Sequence, residues 1–183
     1  MTMLRRALDA LYLGAGYLAG LFLLGIFGLM IALSAGRQVG FNVPAGDDLV
    51  AWCMAATAFL GLAHTFKSGE MIRVGLLFDR LRGRGRRVLE LFALALGSAL
   101  IGFFAWNAAR MTYDSYRFND LAQGALAAPL WVPQLGYVCG LAVLFIAMVD
   151  ELVRVLMGRR PTYDKDPPAS AEEVVERAIQ TGV

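Results

Sequence analysis

The sequence predicts an all-α integral membrane protein with four transmembrane helices and both termini in the cytoplasm. Two observations support this prediction: four long segments lack any charged residue, and Lys and Arg are unevenly divided among the segments that connect them. Of the 183 residues, 58% are hydrophobic and only 17% are charged. Soluble domains are about one quarter charged, so the composition disfavours a soluble protein.

The four charge-free segments have the length that a membrane requires. A hydrocarbon core of about 30 Å takes roughly 20 apolar residues in a helix. The segments contain 27, 18, 19 and 20 residues, and they are Ala10–Gly36, Leu49–Phe66, Leu91–Ala109 and Leu130–Val149. Too little polar sequence remains to cover four such segments in water. The predicted spans are about 10–36, 48–67, 88–111 and 130–157, in a membrane domain of residues 1–160 that precedes a polar cytoplasmic tail, 161–183.

The distribution of basic residues predicts the orientation of the four spans. The amino-terminal segment, the second loop and the tail share one side of the membrane, and together they hold fourteen of the seventeen Lys and Arg residues. Basic loops stay in the cytoplasm, so both termini are expected there.

The second loop is predicted to include a short amphipathic cytoplasmic helix. Apolar residues recur on one helical face from Met71 to Leu81, as in helices that lie in the membrane interface. Arginines near this helix are expected to contact anionic lipid headgroups. The alternative is a simple basic loop with no further role. The candidate headgroup contacts are Arg73, Arg80, Arg82, Arg84, Arg86 and Arg87.

The sequence contains no recognisable catalytic or metal-binding constellation. It has one histidine, His64, and two cysteines, Cys53 and Cys139, which are expected to be small buried thiols inside spans two and four. One histidine excludes bis-histidine haem ligation within this chain. Neither an enzymatic activity nor a cofactor is therefore predicted.

The centres of the four segments hold no ionisable residue. Transporters that act alone usually place ionisable groups at membrane depth, along an internal path. This chain is therefore not expected to form a translocation path by itself.

Small residues at four-residue spacing predict close packing of helix backbones. Two pairs have the GxxxG pattern and a third pairs serine with glycine. Such pairs join helices of this chain to one another or to a helix of a partner. The candidate positions are Gly16, Gly20, Ser98, Gly102, Gly136 and Gly140.

Several segments resemble the small, DctQ-like permease subunit of TRAP transporters, the tripartite ATP-independent periplasmic transporters. The resemblance covers roughly Leu8 to Gly158. Family members often carry a histidine and an aspartate after span two, where this chain has Met71 and Gly75, so the roles of those side chains do not carry over. The matching segments are DDLVAW (47–52), FLG (59–61), KSGEMIRV (67–74) and APLWVPQ (128–134).

The resemblance implies a scaffold subunit of a secondary, sodium-coupled transporter for organic-acid-type solutes in the bacterial inner membrane. The implied partners are the large permease subunit, which holds the sodium and substrate sites, a periplasmic substrate-binding protein, and membrane phospholipids. No nucleic-acid partner is expected. Arg37, Tyr116 and Arg117 are the external candidates for docking the binding protein.

Two other functions are left open by the residues themselves. One is a membrane anchor for a redox enzyme, which the single histidine disfavours. The other is a free-standing small transporter or a lipid-handling scaffold, which the uncharged span centres disfavour.

Overall fold

Four helices make up most of the computed structural model, which describes residues 3–40, 44–68 and 84–158. Each helix is long and apolar enough to cross a membrane. The predicted all-helical, four-span class is therefore confirmed. The predicted amphipathic helix and the tail lie outside the described residues. The helices are α1 (Met3–Gln38), α2 (Gly46–Ser68), α3 (Arg84–Phe118) and α4 (Trp131–Leu156).

The two ends of the helical unit are distinct. The terminal end holds the beginnings of α1 and α3 and the final residues of α2 and α4. The loop end holds the final residues of α1 and α3 and the beginnings of α2 and α4. The short connections between α1 and α2 and between α3 and α4 lie at this end too. As a result α2 and α4 run parallel to each other, while α1 and α3 run in the opposite direction.

Backbone conformation explains where two of the helices stop. Asn119, directly after α3, has a φ of 53°, and Gly158, just beyond α4, has a φ of 79°. Glycine and asparagine in the left-handed backbone conformation commonly end helices. This conformation turns the chain so that the next N–H groups donate hydrogen bonds to the last carbonyls of the helix. The Gly158 N–H donates to the Val155 carbonyl at 3.0 Å.

The described helices are arranged as an open row in the order α1, α2, α4, α3, in which α1 also has a few contacts with α4. Helix α2 packs against α1 on one side and α4 on the other, and α3 packs against α4. Helices α1 and α3 lie at the two edges of the row and do not pack against each other. Most exposed large apolar side chains belong to these edge helices, as a lipid environment allows.

The buried residues form two clusters, and the larger one has members on all four described helices. The larger cluster lies in the terminal half and includes Tyr12, Phe66 and Leu144. The smaller cluster, which lies where α1 meets α2, is rich in alanine and so allows close approach of the two backbones.

The environment of the cysteines differs from the prediction. Cys53 is half-buried, whereas Cys139 is exposed, and both thiols are free. The prediction of buried thiols is wrong for Cys139 because α4, although central in the row, still presents one face outward.

Candidate functional sites

The two glycines of α4 lie directly on α2. A Cβ atom at Gly136 would come within 2.8 Å of the Cβ of Ala56, and one at Gly140 within 2.6 Å of the carbonyl oxygen of Phe59. The second contact is with backbone, which cannot move aside. The α2 and α4 backbones therefore touch along this seam, and a larger residue does not fit at Gly140.

The remaining small-residue candidates lie in different surroundings. Gly102 faces the ring of Phe145 on α4, which a Cβ would approach to 2.8 Å, and Ser98 is buried. Gly16 lies against the side chain of His64 on α2. Gly20 has no atom within 4 Å of the position a Cβ would take, so it faces away from the neighbouring helices.

The surroundings of His64 contain no metal-binding set. Its ring lies against Gly16, where a Cβ would come within 2.9 Å of His64 Cγ. Among the residues that the structure describes, no group of three or more His, Cys, Asp or Glu side chains is placed to hold a metal ion.

Ionisable side chains connect three helices near the terminal end. The Nζ of Lys67 on α2 donates a hydrogen bond to Glu151 Oε1 at 2.8 Å and another to a carboxylate oxygen of Asp150, both on α4. The Glu151 side chain is completely buried and that of Lys67 is 11% exposed. The same ammonium lies 5.0 Å from the centre of the Tyr12 ring on α1. We refer to Tyr12, Lys67, Asp150 and Glu151 as the charge cluster.

Sequence reasoning missed the charge cluster. Each charged member lies at the edge of an uncharged segment, which is the usual position of a charge at a membrane boundary, and Lys67 is 83 residues from Asp150. One signal was available: spans two and four run in the same direction, so a lysine at the end of one lies level with carboxylates at the end of the other. A buried carboxylate requires such a partner, since an isolated buried charge is very costly.

Two of the six arginines proposed for headgroup contact have described side chains. Arg87 Nη2 donates to the carbonyl oxygen of Val155 at 3.3 Å, in the last turn of α4. A cation at this position interacts favourably with the negative end of the helix dipole. Arg86 is half-buried. The side chains of the other four arginines lie outside the described part of the chain.

At the loop end, the connection between α3 and α4 folds over the start of α2. The carboxylate of Asp48 on α2 accepts a hydrogen bond from the Ala125 N–H at 2.9 Å. Within the connection, the N–H of Ala122 donates to the Ala128 carbonyl at 2.9 Å. The connection is therefore held to the row rather than projecting from it.

The three residues proposed for external docking are exposed, but the structure does not bring all of them together. Tyr116 and Arg117 are neighbours near the end of α3, where the Tyr116 ring meets that of Trp131 edge-on at 5.7 Å. Arg37 lies in the last turn of α1, at the opposite edge of the row.

These features define a class: a small multi-pass membrane protein whose described helices pack closely and hold no group of side chains placed to bind a metal ion. Over residues 26–158, the chain matches the family described as tripartite ATP-independent periplasmic transporters, DctQ component. This match covers more than half of the chain, which therefore belongs to that family and is the small membrane subunit of a TRAP transporter. Comparison with curated proteins and with solved structures gives no match.

The family match confirms the resemblance seen in the sequence and fixes the coarse role of the chain. The family consists of transporter components, which fits a protein that is not an enzyme. Its members work in a tripartite transporter with a large permease and a periplasmic binding protein, in the bacterial inner membrane.

Proposed function

We propose that this chain is the static scaffold for the large permease subunit of a sodium-coupled TRAP transporter of organic-acid-type solutes. The family match supports this proposal most strongly. The internal contacts agree with a rigid body: the seam at Gly140 joins the central helices along their backbones, and the charge cluster at Lys67 joins α1, α2 and α4. In this proposal the sodium and substrate sites lie in the large subunit.

The proposed orientation places the terminal end in the cytoplasm and the loop end in the periplasm, as the basic residues of the sequence favour. Exposed side chains at the loop end then face the periplasmic binding protein, with Tyr116 and Arg117 at one edge and Arg37 at the other. The arginine-rich second loop lies at the cytoplasmic surface, where anionic headgroups attract it.

Reconstitution into liposomes tests the scaffold role. The probe is a radiolabelled carboxylic acid that the purified binding protein retains, and uptake is driven by an inward sodium gradient. We expect uptake only when this chain, the large subunit and the binding protein are all present. Uptake by the large subunit without this chain, or by this chain alone, would contradict the proposal.

A variant at the loop end tests the docking role. Replacing Tyr116→Ala together with Arg117→Ala should raise the concentration of binding protein needed for half-maximal uptake at least fivefold. The rate at saturating binding protein should stay the same, because the permease itself is intact. An unchanged half-maximal concentration would remove these two residues from the docking surface.

A further inference from the structure

Helix α3 presents a polar row on its outward face. Asn107, Arg110 and Asp114 are all exposed, and their spacing of three and then four residues places them on one side of the helix. Neither Arg110 nor Asp114 has an ion-pair partner among the described residues. The amide nitrogen of Asn107 donates to the Phe103 carbonyl at 2.8 Å, and its side-chain oxygen accepts no hydrogen bond from the described residues. We call these three residues the α3 polar row.

Contacts between helices show how deep the polar row lies. Gln134, in the first turn of α4, donates to Ser115 Oγ at 3.2 Å, and Arg110 lies five residues further from the loop end than Ser115. Five residues of helix correspond to about 7 Å. The same distance along α4 leads to the segment between Gly136 and Gly140, which packs on the middle of the charge-free run of α2. Arg110 is therefore level with the apolar centre of the row, although the sequence placed it at an outer boundary.

A surface with these charged side chains is unfavourable in contact with lipid. Charged side chains at membrane depth are rare, and they usually face other protein or a water-filled cavity because lipid does not solvate them. The opposite edge of the row provides a contrast. Helix α1 has no charged residue between Asp9 and Arg37, and its exposed side chains at the same depth, such as Leu24 and Phe27, are apolar. The two edges therefore suit different surroundings: lipid on α1 and protein on α3.

An apolar crevice adjoins the polar row. It has a volume of about 540 Å³ and is lined by residues of α2, α3 and α4. Its lining includes Phe59 of α2, Phe104 and Asn107 of α3, and Tyr137 and Leu141 of α4. The Tyr137 hydroxyl is buried without a hydrogen-bond partner among the described residues. This crevice offers space for the side chains of one further helix beside the polar row.

We propose that the outer face of α3, formed by the polar row and this crevice, receives a transmembrane helix of the large permease subunit. This inference rests on the proposed function, which supplies the partner. Apolar side chains of the partner helix fill the crevice. Polar groups on the same helix pair with Arg110 and Asp114, so the partner carries an acidic side chain level with the first and a basic or amide side chain level with the second. Interhelical hydrogen bonds of this kind hold helices together within membranes.

Site-directed photocrosslinking in the assembled transporter tests the position of the interface. Benzoylphenylalanine replaces Asn107 in one variant and Leu24 in a matched control. Ala19 faces Gly61, so Leu24 of α1 lies level with Ala56 of α2 and hence at a similar depth to the polar row. We expect a crosslink to the large subunit, identified by its peptides, from position 107 and none from position 24. Crosslinks from position 107 only to lipid or to a second copy of this chain would overturn the proposal, as would a crosslink to the large subunit from position 24 alone.

Substitution of Arg110 tests how much its charge contributes to the association with the large subunit. Arg110→Leu should lower the fraction of large subunit that co-elutes in mild detergent at least tenfold, and Arg110→Lys should retain most of it. Leu24→Ala is the matched control and should leave co-elution unchanged. Gel filtration and circular dichroism establish that each variant remains folded and monodisperse. If Arg110 instead contacts lipid, the Arg110→Leu variant should co-elute with the large subunit as well as the wild-type chain does.

The two proposals fail in different ways. If the wild-type chain elutes without any large subunit, the scaffold function itself is wrong. If wild type co-elutes while Arg110→Leu also co-elutes normally and position 107 gives no crosslink to the large subunit, the scaffold function stands and the α3 interface is wrong.

Discussion

Lys67 has one positive charge within hydrogen-bond distance of two carboxylates, and one of those carboxylates is completely buried. Replacing a single member of a buried ion pair is much more damaging than replacing all of its members, because the remaining charge has neither water nor partner. The charge cluster is therefore expected to stabilise the chain only as a complete set.

Lys67→Met is expected to lower the free energy of unfolding by about 3 kcal/mol or more, the range measured when one partner of a buried ion pair is removed. The triple variant Lys67→Met, Asp150→Asn, Glu151→Gln should recover part of this loss, since the two carboxylates that Lys67 compensates are then neutral as well. Unfolding by SDS in mixed micelles, followed by circular dichroism, measures both. If Lys67→Met is as stable as wild type, groups other than Lys67 compensate the negative charges of Asp150 and Glu151.

Between helices, the same glycine spacing has different consequences at different positions. A Cβ at Gly140 would meet the backbone of Phe59 and Leu60, whereas one at Gly20 would meet nothing within 4 Å. Overpacking at a rigid contact is destabilising, while an alanine in place of an exposed helical glycine removes conformational freedom from the unfolded chain.

Gly140→Ala is expected to destabilise the protein by about 1–3 kcal/mol, because the α2 and α4 backbones must separate. Gly20→Ala is the matched control, and it should stabilise the protein by about 0.5–1 kcal/mol through the higher helix propensity of alanine. The same SDS titration measures both variants. Equal effects at the two positions would contradict the assignment of the seam to α2 and α4.

The sequence was sufficient to predict the four helices, but it was insufficient to predict which residues of neighbouring helices contact each other. Four charge-free runs identified the spans, because a membrane leaves few alternatives to a helix of that length. Periodicity does not reveal which neighbour a glycine faces, so Gly20 and Gly140 looked equivalent. Likewise, the end of an uncharged run placed Arg110 at a membrane boundary, although its depth depends on the relative shift of α3 and α4, which only their contacts show.

For the molecule as a whole, the orientation in the membrane is the property on which the docking proposal depends. In a background without Cys53 and Cys139, single cysteines introduced as Gln123→Cys and Met157→Cys report on the loop end and the terminal end, where both residues are exposed. A membrane-impermeant maleimide should label the first in intact cells and the second only after permeabilisation. The reverse pattern would place the basic segments in the periplasm and contradict the orientation.

The open row also distinguishes this chain from a closed bundle of four helices. Since α1 and α3 do not pack together, the row has two separate edges as well as two broad faces. One edge carries no charged residue at membrane depth and the other carries the polar row. This asymmetry gives the chain one side for lipid and another for a partner, which a symmetric bundle would lack.

The parallel pairing of α2 with α4 determines the order in which the protein must be assembled during synthesis. Helix α2 enters the membrane long before α4 exists, and the carboxylate that Lys67 meets in the finished protein lies 83 residues later. At about 5–20 residues per second, the ribosome needs about 4–17 s to make that interval. Throughout it, the flank of α2 that α4 later covers lacks the partner that it has in the finished protein. Chains truncated before α4 therefore lack the segment that completes the fold, and they should be recognised and degraded by membrane proteases.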